Sequence, residues 1–105
     1  MPRKGETTQM PTYISLARWT AQGAHSIKES PARLDAAKKS FAAAGIKVIG
    51  FYMVTGAHDL VIITEAPNDD VMATAMLKTI AQGGITTQTS RAFTEDEYRA
   101  IIGSL

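Results

Sequence analysis

The chain of 105 residues contains no cysteine, which excludes disulfides, thiolate metal sites and a cysteine nucleophile. Disulfides have no use in a reducing compartment, so a cytoplasmic setting is expected. Charge of one sign is lacking too: 11 Lys and Arg face 10 Asp and Glu, for a net charge of +1. The short pairs Arg3-Lys4 and Lys38-Lys39 make no basic stripe, so no nucleic-acid partner is expected. No apolar run reaches the roughly 18 residues of a membrane span. The opening MPRKGETTQ lacks the apolar stretch of a signal peptide, so no membrane partner is expected either. Nucleophile motifs, phosphate loops and paired catalytic carboxylates are also missing. Gly83-Gly84 follows a helical pattern, whereas a phosphate cradle needs its glycines before one.

What remains is an ordinary globular composition, 45% hydrophobic and 20% charged. The length fits one domain with one core. Residues 1–9 are polar and aperiodic and read as a flexible extension. The folded domain is expected over residues 10–105.

Thr12 to Arg18 is rich in β-formers and reads as a strand, followed by a loop from Trp19 to His25. Ser26 and Glu29 have capping-box spacing, and Ser30-Pro31 sets an N-cap before a first-turn proline. The spacing predicts a helix from Pro31 to Ala44 with Leu34, Ala37 and Phe41 on one face and Gly45 as its terminator. Ile46 to Val54 and Asp59 to Ala66 then form a hairpin about the turn Thr55-Gly56-Ala57-His58. Leu60 to Ile63 is apolar at every position, as in a strand covered on both faces. Asn68 caps a second helix with Met72, Ala75, Met76 and Ile80 buried. Ile85 to Phe93 is a Thr-rich fourth strand. Thr94 and Glu97 open a last helix whose Tyr98, Ile101, Ile102 and Leu105 are expected to face inward.

This order is that of a ferredoxin-like α+β domain, βαββαβ with a C-terminal helix. Right-handed crossovers put both main helices on one face of an antiparallel sheet with the first and third strands central. The other face is left open, and its apolar residues predict self-association as a homodimer or higher homo-oligomer. The alternative cover is the terminal helix folded back over its own sheet.

Several separated segments resemble the GYD-domain family: MPTYISLARWTAQGAHSIKESPARLDAAKKSF, the hairpin with Gly56-Ala57-His58-Asp59, Glu65-Ala66-Pro67, and Arg91-Ala92-Phe93-Thr94-Glu95. The likeness spans residues 10–105. It implies a dimeric α/β barrel, in which protomers pair through their open sheet faces, and it brings no activity with it. Gly56, His58 and Asp59 fall on the family's turn signature, with His58 where a Tyr usually stands.

Strand alternation frames the candidate site. If Ile14 and Leu16 face the helices, then Tyr13, Ser15, Ala17 and Trp19 face the open side, together with Tyr52, Thr87, Thr89 and Arg91. Such a surface suits a ligand with an apolar body and an anionic or hydroxylated end, and equally a plain dimer interface. Trp19, Tyr52, His58 and Arg91 are the candidate ligand-binding residues. Trp19 would stack on a ligand or pack on its loop, and Arg91 would grip a carboxylate or pair with Glu65. His58 beside Asp59 would serve as a base, but Asp59 equally serves the turn through backbone hydrogen bonds. His25, His58 and Glu65 offer no local ligand pair, so no metal is expected. No cofactor is expected, and no catalytic residue stands out. The function classes are a small-molecule-binding or regulatory module, a cofactor-independent oxygenase or isomerase acting on an aromatic substrate, and a structural subunit of a larger assembly.

Overall fold

Polar caps and two left-handed glycines punctuate the described residues. Asn68 Oδ1 accepts the Val71 N–H at 2.9 Å. Thr94 and Glu97 close a reciprocal capping box, at 2.8 and 3.2 Å. Gly45 and Gly83, at φ 81° and 87°, end the helices before them in a conformation that a side chain would oppose. The computed structural model describes residues 10–105, and the expected extension 1–9 lies outside the described residues.

Between these signals lie β1 (Thr12–Trp19), α1 (Ala21–His25), a 3₁₀ turn (Ile27–Glu29), α2 (Ser30–Ala43), β2 (Lys47–Met53), β3 (Leu60–Glu65), α3 (Asp69–Ala81), β4 (Ile85–Ala92) and α4 (Glu95–Gly103). The strands form one antiparallel sheet in the order β2-β3-β1-β4, with β1 and β3 central as expected for the ferredoxin-like topology. The expected loop after Trp19 holds a short helix instead, because Thr20 Oγ1 caps it by accepting the Gly23 N–H at 3.0 Å. Ser26 makes no side-chain cap, and the chain there tightens into the 3₁₀ turn.

The core lies on one side of the sheet. Tyr13, Phe41, Ile46, Ala66, Met72, Ala75 and Met76 are buried together, with Val48 and Val71 packed against them. This reverses the expected facing of β1. Tyr13, Ser15 and Ala17 point to the helices, and Ile14 and Leu16 point to the open side. Helix packing explains the choice: Ser15 and Ala17 are small and let Met76 of α3 come close, with Ser15 Oγ 3.7 Å from its sulfur. Thr64, fully buried on β3, contacts the Met72 sulfur at 3.5 Å in the same way.

In β2 the register shifts between Val48 and Gly50, which leaves Ile49 as the extra residue of a bulge. Val48 and Phe51 therefore oppose the covered Thr64 and Ile62, while Tyr52 opposes the open-face Val61. The last helix does not turn inward. None of its residues is buried, and Tyr98, Ile101 and Ile102 are exposed.

Candidate functional site

Cross-strand register fixes which side chains share a face, because directly opposed residues point the same way. Ile14 opposes Ile63, and Leu16 opposes Val61 and Gln88. The bare side of the sheet thus carries Ile14, Leu16, Val61 and Ile63 at its centre and Tyr52 on the β2 edge. It is more apolar along the central strands than the covered side, where Ser15, Ala17 and Thr64 alternate with larger residues.

The four candidate ligand residues do not all share one site. Tyr52 is exposed on the open face of β2. Arg91 opposes Tyr13 on β4, so it belongs to the helix side at the other edge of the sheet. Three strand spacings, roughly 14 Å, separate those edges. Arg91 lies over the Phe93 ring, 4.5 Å from its centroid, and approaches Glu97 at 4.0 Å. Its partner is therefore the last helix, not Glu65. Thr87 and Thr89 share its face, and Thr89 Oγ1 meets Ser15 Oγ at 2.8 Å. His58 is half-buried in the hairpin, with Nε2 3.3 Å from Gln88 Oε1. Trp19 ends β1 with its indole Nε1–H buried and without a partner among the described residues. The converging groups that an oxygenase or isomerase would need on one pocket are not supplied by these four.

Asp59 has a definite structural task. Its carboxylate accepts the Trp19 N–H at 3.0 Å, and its own N–H donates to the Ala17 carbonyl at 2.8 Å. The hairpin tip is thereby tied to the end of β1. Gly56 meets nothing within 4 Å, so no close approach demands a glycine there. Among the described residues, no three His, Asp or Glu side chains cluster as metal ligands.

One ionisable group is strongly displaced. Burial, the hydrogen bond it donates to Asp69 and that carboxylate's charge push the Tyr13 phenol up to about 12. Asp69 opens α3, so the bond ties β1 to the first turn of that helix.

A cavity of about 250 Å³ opens elsewhere, between α2, α3 and the covered side of the sheet. Leu34, Phe41, Phe51, Ile62, Met76 and Ile85 supply its apolar walls, and Arg33, Lys38 and Lys78 its charges. None of Trp19, Tyr52, His58 and Arg91 lines it. Sequence reasoning named Leu34, Phe41 and Met76 only as core. The available signal was the two lysines and the arginine flanking those apolar faces.

The architecture is that of a small ferredoxin-like α+β domain with one apolar sheet face left bare. Residues 13–102 match the GYD domain, and the chain belongs to that family. It is also similar to a protein of Thermus thermophilus named glutamine synthetase and cystathionine beta-lyase binding protein. The two are 32% identical over 84 residues, covering 79% of this chain and 88% of the relative. No helix among the described residues is long and apolar enough to cross a membrane.

Proposed function

We propose that the chain is a cytoplasmic regulatory module that pairs with a second copy of itself and binds an enzyme partner. The observation that carries this reading is the bare sheet face, where Ile14, Leu16, Val61 and Ile63 meet on the two central strands. Apolar surface returns about 25 cal/mol for each Å² removed from water, so covering ~200 Å² per copy favours pairing by about 10 kcal/mol before association costs. A two-fold axis satisfies the patch with itself and closes the two sheets into an α/β barrel.

The sheet face would then be taken by the second copy, which leaves α4 for a different partner. Its Tyr98, Ile101 and Ile102 form an amphipathic edge that buries nothing in its own chain, the form used in helix-in-groove recognition. Similarity to a protein named for binding two enzymes supports an enzyme as that partner.

Sedimentation at micromolar concentration tests the pairing. The parent chain should run as a dimer and Leu16→Glu as a folded monomer; a monomeric parent refutes it. Immobilised glutamine synthetase and cystathionine β-lyase test the second surface. Retention of the parent by either enzyme, and its loss in Ile101→Asp, is the expected result. Equal retention of the two chains would remove α4 from the reading, and no retention of the parent by either enzyme would refute both as partners.

A further inference from the structure

We propose that the cavity between α2 and α3 is an effector site for a small amphipathic anion, a carboxylate with an unbranched or single-ring apolar body. The lining is divided. Leu34, Phe51 and Ile85 are only half-buried, so apolar wall stands open to water inside a recess rather than on a convex surface. The charged residues of the lining are Arg33, Lys38 and Lys78, with no carboxylate among them. None of the three has an ion-pair partner among the described residues. Arg33 is held in place by donating to the Ser26 and Gly23 carbonyls, at 3.1 and 3.3 Å, and both acceptors leave its charge uncompensated.

A cationic rim around an apolar recess selects one polarity of ligand: chain inward, negative head at the rim. The volume of about 250 Å³ lies just under the roughly 300–1,000 Å³ of drug-sized pockets and suits about ten heavy atoms. That size excludes a two-chain lipid. The site uses neither the bare sheet face nor the exposed edge of α4, so a ligand there can be bound while both are occupied. It stands apart from the enzyme-binding reading, because it is measured on the isolated chain.

Octanoate, octanol and octylamine serve as probes, titrated into labelled protein and followed by NMR shifts and calorimetry. Octanoate should bind saturably, and octylamine at least about tenfold more weakly. The shifts should fall on Leu34, Phe51, Met76 and Ile85. Lys78→Glu, an exposed substitution that leaves the fold intact, should weaken octanoate by about tenfold. Ala37→Trp should block the recess and abolish binding; if it fails to fold, Lys78→Glu decides alone. Equal affinity for octanoate and octylamine, no saturable binding, or shifts confined to Ile14, Leu16 and Ile63 would each overturn the assignment. Co-sedimentation with phosphatidylglycerol vesicles in place of octanoate binding would point to a lipid surface and overturn it as well.

Discussion

Replacing Gly23 with alanine should destabilise the domain more than any exposed glycine substitution. A Cβ built at Gly23 would sit 2.0 Å from the Gly84 carbonyl oxygen and 2.9 Å from its carbon. Real contacts of this kind do not fall below 3.0 Å, so α1 and the α3–β4 turn must part by about 1 Å (3.0 minus 2.0). That movement falls on a latch. Thr20 donates its N–H to the Gly84 carbonyl at 3.0 Å and its hydroxyl to the Gly83 carbonyl at 2.6 Å. Parting by 1 Å takes the first to about 4.0 Å and the second to about 3.6 Å, both past hydrogen-bonding distance.

Two such bonds contribute about 1 kcal/mol each, and forced overpacking costs about 1–3 kcal/mol. Alanine's better helix propensity returns about 0.5–1 kcal/mol. The net loss is about 2–4 kcal/mol. For a domain of this size each kcal/mol shifts Tm by about 4–8 °C, so a fall on the order of 10–25 °C is expected. Thermal unfolding followed by circular dichroism measures it, with Gly56→Ala as the control because that glycine meets nothing within 4 Å. A Gly23→Ala protein melting within about 3 °C of the parent would refute the latch.

Tyr13→Phe removes the hydrogen bond to Asp69 and should cost about 1–2 kcal/mol, read as a lower urea midpoint near neutral pH. The same residue sets an alkaline signature. The folded state holds the phenolic proton up to about 12, so its contribution is complete below about 10 and is lost as pH rises through 12. Urea midpoints measured across that window should fall less in Tyr13→Phe than in the parent, and parallel curves would contradict the assignment. Removing residues 94–105 takes away a helix that buries none of its residues, so the isolated protomer should lose less than about 1 kcal/mol. Melting at nanomolar concentration checks this, and a large loss would mean that α4 supports its own chain.

Topology was readable because its signals are local. The Asn68 cap, the Thr94–Glu97 box, Gly45 and Gly83 each act within a few residues, and they bound α2, α3 and α4 nearly where the sequence places them. Facing was not readable from β1 alone. Thr-Tyr-Ile-Ser-Leu-Ala-Arg offers apolar residues on both parities, and the larger pair, Ile14 and Leu16, looks like the core set. The deciding quantity is the space under α3, which admits Ser15 and Ala17 beside Met76 and is set by residues about 60 positions away in sequence, as the Ser15–Met76 separation of 61 shows. The bulge at Ile49 adds a second non-local term, since one extra residue changes the face of everything beyond it.

The same inversion explains why the candidate residues scatter, and it strengthens the case for pairing. With the expected facing, the open side would have carried Tyr13, Ser15, Ala17, Trp19, Thr89 and Arg91, a mixture of apolar and polar groups. With the observed facing, those groups lie on the helix side and find partners there: the buried Ser15 with Thr89, the buried Tyr13 with Asp69, and the exposed Arg91 with Phe93 and Glu97. The bare side keeps Ile14, Leu16, Val61 and Ile63. Large apolar residues on that face have no cover from their own chain, which supports the proposed pairing. Leu16→Glu therefore separates the possibilities sharply. If the face is wet in the working protein, a carboxylate there costs almost nothing and changes no assembly. If it is buried against a second copy, two unpaired carboxylates meet near the two-fold axis, and the dimer dissociates while each protomer keeps its own fold.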